Sequence, residues 1–439
     1  MKKLAKNIFL YFSLILFIYT FYRDQIFWNG IKFDFYKNFY LLSIILFLFS
    51  IIIIFFSKKI NTYINIVFFS VISFFYCAEI YLTFNTSEYK KIKEYEKNKE
   101  IKFDRRSAFQ FYQDNLKKNK KLTFSLIPLF YLDQNKNFLP LSGLSKSNVF
   151  FFNENGYYPI YKSDRHGFNN PDYEWDKNII DYLIIGDSFA HGCCVNRPHD
   201  ISSALRTISK SSVLNLGMGG SGPLIEYAIM REYISKKIKK VIWFYYEGND
   251  LDDLRNEKRN KILLKYLEDK NFSQNLKNRQ DEVDIVGNDY IKTIYKKTFE
   301  KRSYQRSNIT KFLILFNLRT LVKSKFQKKK NKEINKKYEY TDFKKIILKA
   351  KSLANLNNSK FYFVYLPEYR RYKDKNYNLK NYNNVIEIIQ NFKIPIIDIN
   401  KLIISNNIDP ISIFPFREKG HYTVDGYKFI SEQVFLNTK

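Results

Sequence analysis

Residues 184–194 read IIGDSFAHGCC, and the fold is decided by how that stretch breaks. An apolar run at 182–185 ends in Gly186-Asp187-Ser188, and a second glycine, Gly192, precedes the next helical pattern. A short apolar run closed by a glycine turn predicts a buried strand feeding a helix. A serine at such a turn lifts its Oγ clear of the sheet edge. Its backbone N–H lies near a helix start, where donors are unsatisfied and negative charge is favoured. Those are the requirements of a nucleophile whose attack creates an oxyanion. A strand followed by a Gly-Asp-Ser turn without chemistry fits the stretch equally well.

Three further blocks lie outward from it. Residues 213–223, VLNLGMGGSGP, are a short strand ending in a glycine-dense loop, whose bare N–H groups could approach a ligand without Cβ interference. Residues 241–250, VIWFYYEGND, carry Asn249 to the C-terminal end of a strongly apolar strand. Near the C-terminus, Gly420-His421-Tyr422 precedes a closing helix at 423–434. Apolar strands at 182–185, 213–216, 241–246, 361–366 and 395–399 alternate with helical segments near 202–209, 224–235, 343–356 and 379–391. That alternation predicts a three-layer α/β domain on a parallel sheet. In open sheets of this kind ligands bind past the carboxyl ends of the strands, where Ser188, Gly220 and Asn249 all fall.

With a serine, a glycine, an asparagine and a histidine in that order, the chain resembles the SGNH (GDSL-type) hydrolase superfamily from about residue 181 to the C-terminus, leaving 255–340 unmatched. The resemblance implies a flavodoxin-like three-layer domain. It also implies Ser188 as nucleophile, His421 as general base, and an oxyanion hole built from Ser188, Gly220 and Asn249. Two departures stand out. The third block reads Glu247-Gly248-Asn249-Asp250, with its glycine adjoining the asparagine instead of two residues before it. The family places Asp three residues before the histidine, and this chain has Glu418 there. Glu418 completes a triad, or Ser188 and His421 work as a dyad.

The residue types suit those roles. Serine needs a base within hydrogen-bond reach, and histidine titrates near neutrality, so it can take the serine proton and return it to a leaving alcohol. The four histidines are His166, His191, His199 and His421. His166 and His199 read as surface residues. His191, with Asp187 and Asp250, is a candidate substrate-lining residue, while only His421 has a glycine turn before it and a helix after it.

With 439 residues the chain predicts two to three domains. A formal charge of +30 would ordinarily suggest nucleic acid. Here lysine predominates over arginine, and abundant Asn, Ile, Tyr and Phe point instead to an AT-rich coding bias. No arginine-rich helix or RNP-type aromatic stretch occurs, so no nucleic-acid partner is expected. No metal and no cofactor is expected either. Three cysteines imply no disulfide framework. The adjacent Cys193-Cys194 admits a redox or metal role, or simply two small residues packed behind the serine turn.

The N-terminal fifth is a different material. Stretches 7–22, 39–57 and 62–84 are nearly charge-free and close to the roughly 20 residues that span a bilayer. They predict a three-helix transmembrane anchor over 1–86, followed by a juxtamembrane stalk or docking segment at 87–178. The hydrolase domain occupies 179–439, with a basic helical insertion at about 255–340. Glu79 falls near the end of the third span, at the interface. Lys2, Lys3 and Lys6, with Lys58-Lys59, favour a cytoplasmic N-terminus and an outward catalytic domain, against the lysines at 90–99. The insertion reads as a lid, as a patch for anionic headgroups, or as a solvated loop.

The expectation is a multi-pass protein of the cytoplasmic (inner) membrane with an extracytoplasmic serine esterase. Its substrate would be an O-acyl, including O-acetyl, ester of envelope carbohydrate or lipid. An O-acyltransferase working with a membrane-bound acyltransferase partner is an alternative, as is a catalytically silent glycan-binding or assembly protein.

Overall fold

The N-terminal apolar stretches fold as three helices of unequal length. The computed structural model describes residues 8–53, 55–85, 87–100, 102–132, 137–234, 237–295, 308–330 and 340–439. Its first helix is described over Ile8–Phe21, about 21 Å at roughly 1.5 Å per residue. It continues into a π-helical turn, Tyr22–Phe27, which buries Arg23 and Asp24. Those two charged residues directly follow the expected first span, 7–22. Among the described residues, two helices are long and apolar enough to cross a bilayer: Phe33–Ile53, and the apolar part of the helix that begins at Lys58. Of the three expected spans, two are thus shown among the described residues. Lys2, Lys3 and Lys6, and residues 296–307 and 331–339 of the expected insertion, lie outside the described residues.

Residues 1–89 and 308–332 make one compact unit. Phe9 of the first helix packs on Phe49 and Phe68, with ring centroids 5.1 and 4.5 Å apart. Helices Asn308–Leu313 and Phe316–Lys330, from the basic insertion, pack on helix Lys58–Asn85. Glu79, expected at the interface without a role, is instead buried. Its two carboxylate oxygens accept the N–H groups of Asn317 and Leu318, each at 2.9 Å.

Residues 90–307 and 333–439 make the second unit. It contains a small sheet of β1 (Leu122–Phe124), β2 (Asn148–Phe150) and β3 (Ile160–Lys162). β1 and β2 are parallel, and β2 and β3 antiparallel. The large sheet has five parallel strands: β4 (Ile179–Ile185), β5 (Val213–Asn215), β6 (Lys237–Tyr246), β7 (Lys360–Leu366) and β8 (Ile396–Asp398). Their order is β5-β4-β6-β7-β8, the doubly wound order in which the chain reverses direction across the sheet between β4 and β6.

Alternation along the strands builds two cores. Leu183, Ile185, Trp243 and Tyr245 face helices Pro223–Tyr233, Tyr340–Leu356 and Lys380–Asn391. Ile184, Ile242, Phe244 and Val364 face helices Ile201–Ser209, Ile399–Ser405 and Val424–Thr438. A sheet covered on both faces requires near-continuous apolar runs, as at Leu183–Ile185, Val241–Tyr245 and Phe361–Leu366. The three layers match the expected architecture.

Of the segment 87–178, expected as a stalk or docking segment, several described residues are built into this unit and do not stand apart as a stalk. Tyr131, Leu139, Leu141, Phe168 and Trp175 are buried in the same core as Leu183 and Trp243. The first half of the insertion is neither a lid nor a solvated loop, since Leu263, Tyr266, Leu267, Leu276 and Val283 are buried in that core too.

Candidate active site

β4 ends at the turn that carries Ser188. Asp187 Oδ1 accepts the Phe189 N–H at 2.9 Å and so caps the single helical turn Ser188–His191. Asn215, on β5, pins this turn from below. Its Nδ2 donates to Ala190 O at 2.7 Å, and its Oδ1 accepts the Gly217 N–H at 2.8 Å. A Cβ on Gly217 would stand 2.7 Å from the Ala190 carbonyl carbon, so only glycine lets the second loop lie this close to the serine turn.

His421 arrives from the loop before helix Val424–Thr438. Its Nε2 is 2.8 Å from Ser188 Oγ, and its ring packs on Phe189 at 4.7 Å between centroids. Both oxygens of Glu154 stand 3.0 Å from His421 Nδ1, and the His421 backbone N–H donates to Glu154 Oε2 at 2.6 Å. A carboxylate on Nδ1 places the proton there, which leaves Nε2 to accept from the serine hydroxyl. Burial opposes charging of His421, but the Glu154 carboxylate, and Asp187 less strongly, hold its pKa above the ordinary imidazole value. Burial likewise opposes charge on Glu154, yet His421 and Lys91 keep its carboxyl below the usual range.

The carboxylate on His421 is therefore Glu154, a correction to the expectation for Glu418. Glu418 sits in extended backbone, φ −122° and ψ 168°, with its Oε2 3.9 Å from Lys91 Nζ. Glu154 lies in the β2–β3 connection, in a loop tied down on both sides. Asn153 Nδ2 donates to Asp104 O at 2.8 Å, and Asn155 Nδ2 donates to Cys194 O at 3.1 Å. The segment expected to be a stalk supplies this residue. Its only local signal is the Asn-Glu-Asn-Gly turn at 153–156, which says nothing of a partner 267 positions away.

The glycine loop borders the serine. A Cβ on Gly219 would lie 3.8 Å from Ser188 Cβ, while one on Gly220 would strike Ile127 Cδ1 at 2.8 Å. Gly220 also has φ +67°, which favours glycine. Asn249 follows β6, and its Nδ2 donates to Asp253 Oδ2 at 2.6 Å, which fixes the plane of the amide.

The three expected lining residues are buried beneath the site instead. His191 Nδ1 accepts the Gly219 N–H at 3.2 Å, and its Nε2 is 2.8 Å from Tyr161 OH. Burial pushes its pKa down to about 3, so the ring is neutral and braces the glycine loop. Asp187 caps the turn through Oδ1 and accepts from Ser188 Oγ through Oδ2 at 3.5 Å, its carboxyl pushed up to about 6 by burial. Asp250 accepts the Tyr246 N–H at 2.8 Å, and its pKa is raised by burial and by Asp187. Short acidic side chains at strand ends go to unsatisfied backbone donors, which takes them out of the substrate's reach.

His199 is exposed as expected. His166 is half-buried against Trp175, with ring centroids 4.5 Å apart, and does not lie on the surface. Among the described residues one group has metal-ligand spacing: Cys193, Cys194 and His421, with ligand atoms within 4.8 Å of one another. The two sulfurs are joined as a disulfide, which leaves no thiolate to ligate.

No protein-family model and no curated protein matches the sequence. Among solved structures, the chain is similar to a protein from Desulfitobacterium hafniense DCB-2 assigned to the G-D-S-L family of lipolytic proteins. That similarity has 15% identity over 60% of this chain and 99% of that chain, with a TM-score of 0.31. At that level nothing about activity passes from one protein to the other.

Proposed function

We propose that the protein is a serine ester hydrolase in which Ser188, His421 and Glu154 act as a catalytic triad. The observation that carries this reading is the unbroken hydrogen-bond path from Ser188 Oγ through the His421 ring to the Glu154 carboxylate. Ser188 Oγ attacks the acyl carbon as its proton moves to His421 Nε2, and Glu154 stabilises the imidazolium that forms. His421 then protonates the leaving alcohol, and water activated by the same ring releases the acid from the acyl-serine.

The oxyanion is met by the N–H groups of Ser188 and Gly220 and by the second Nδ2 proton of Asn249, the first being committed to Asp253. The substrate we infer is an O-acyl ester of envelope carbohydrate or lipid, reached by a catalytic unit tethered to the cytoplasmic membrane. With a cytoplasmic N-terminus, placement outside that membrane requires an odd number of crossings, and in this reading helix Ile8–Phe21 crosses along with the two long helices.

The test is a fluorophosphonate probe applied to the full-length protein in detergent, followed by peptide mapping. Labelling at Ser188, abolished in Ser188→Ala, supports the reading. Absence of labelling in folded protein sinks it.

A further inference from the structure

Behind the triad lies a pair that the proposed chemistry does not use. Cys193 and Cys194 are bonded to each other, both are buried, and Cys194 Sγ stands 3.9 Å from His421 Nδ1, the nitrogen that Glu154 orients. The backbone around the pair is tied to the same machinery. Asn155, next to Glu154, donates to Cys194 O at 3.1 Å, and Tyr427 OH donates to Cys193 O. The pair belongs to one buried cluster with Val149, Phe151 and Tyr161.

We propose that Cys193–Cys194 is a thiol-redox modification site that governs the esterase through His421. The proposal rests on the esterase reading for its effect on turnover. A disulfide sulfur carries no proton, so in the oxidised pair the Nδ1–H is left to Glu154. A dithiol reductant changes this. One of its thiolates attacks one cysteine sulfur, the S–S bond breaks, and the other cysteine leaves as a thiolate. The second reductant thiol then displaces the mixed disulfide. Two electrons and two protons pass to the protein, which ends as two thiols, and the reductant ends as its own disulfide.

The freed sulfurs must part, because non-bonded heavy atoms settle about 3.5–4.0 Å from each other. Cys194 Sγ already stands 3.9 Å from His421 Nδ1, so after reduction a thiol rests beside the ring. Beside the ring that thiol ionises: its proton passes through water to the free Nε2 of His421, and the thiolate that remains faces the Nδ1–H. A His421 held as imidazolium cannot take the Ser188 proton, and turnover falls.

The experiment uses the full-length protein in detergent with Cys77→Ser, so that thiol titration reads the pair alone. Dithiothreitol should raise the count from zero to two and lower kcat/KM for p-nitrophenyl acetate about tenfold, and reoxidation with diamide should restore both. In Cys193→Ala/Cys194→Ala the rate should not respond to dithiothreitol. The ¹³C-histidine ring resonance of His421, identified by its loss in His421→Gln, should move between the two redox states. Two thiols that diamide cannot remove would overturn the proposal. So would a clean change from zero to two with turnover and the His421 resonance unmoved. If the ester is hydrolysed in neither state, the esterase reading fails by itself. The resonance then decides the switch: a shift supports it, and none overturns it.

Discussion

Glu154 holds His421 by two routes at once, through the ring Nδ1 at 3.0 Å and through the backbone N–H at 2.6 Å. One carboxylate therefore sets both the tautomer of the imidazole and the position of the loop that carries it. This doubled contact makes the two candidate glutamates distinguishable. Glu154→Gln keeps the shape but offers an amide to Nδ1–H, and kcat should fall by about 10³–10⁴. Glu418→Gln should stay within about threefold of wild type, because that side chain lies against Lys91. Steady-state hydrolysis of p-nitrophenyl acetate by the full-length protein separates them, and the opposite ranking would return Glu418 to the site.

The pH dependence follows from the same pair. The base must be neutral, so kcat/KM rises with pH as His421 loses its proton. Its pKa is raised in the folded protein, so the acid limb should lie above the free imidazole value of about 6.5. Glu154→Gln removes the main raising influence and leaves burial, which moves the limb to lower pH while the plateau falls. The pair stabilises the fold between the lowered pKa of Glu154 and the raised pKa of His421. That contribution is lost as pH falls through the first or rises through the second. Thermal midpoints of wild type and variant should therefore converge at both extremes. A constant offset across pH would show that the pair is not charged in the native state.

The parallel sheet was legible because buried strands need apolar residues on both faces, and β4, β6 and β7 have them. The missed portions have physical causes. β6 begins at Lys237, earlier than its apolar run, because Lys237 and Lys239 alternate outward around buried Ile238. β8 is shorter than expected because the Asp398 side chain accepts the Lys401 N–H and starts a helix at Ile399. Ser188 and His421 could be found because each sits at a turn recognisable within ten residues. Glu154 could not, because its role exists only once a hairpin of the small sheet meets the C-terminal loop. His191 misled for the converse reason: closeness in sequence to Ser188 placed it under the glycine loop, out of the site.

Asn249→Ala should lower kcat by about 10²–10³ with a smaller change in KM, because an oxyanion donor strengthens mainly in the transition state. Asp253→Ala leaves the amide in place but frees its rotation, so it should give a smaller loss of the same kind. A pure KM effect in Asn249→Ala would make this residue an ordinary substrate contact.

Topology is open to a direct measurement. An alkaline-phosphatase fusion after Lys439 should be active and a GFP fusion there dark, if three helices cross and the N-terminus is inside. The reverse pattern would mean that helix Ile8–Phe21 does not cross and that the catalytic unit faces the cytoplasm.

The last prediction concerns Glu79, whose carboxylate is buried and accepts the N–H groups of Asn317 and Leu318. These are the second and third residues of helix Phe316–Lys330, so the side chain satisfies two of the four donors that a helix start leaves unpaired. A negative charge there also faces the positive end of the helix dipole. Glu79→Gln keeps one acceptor oxygen and loses the charge. Glu79→Leu loses both acceptors and strands two donors, at about 1–3 kcal/mol for each that stays buried. The helix carries lysines along its length, so its release should be visible as faster tryptic cleavage within 316–330 in detergent-solubilised protein. Cleavage should be slowest in wild type, faster in Glu79→Gln and fastest in Glu79→Leu, with catalytic constants of the intact protein little changed. Equal cleavage rates in all three would mean that Glu79 does not hold the helix, and that other contacts, such as Asn317 Nδ2 donating to Thr83 Oγ1 at 3.0 Å, are sufficient.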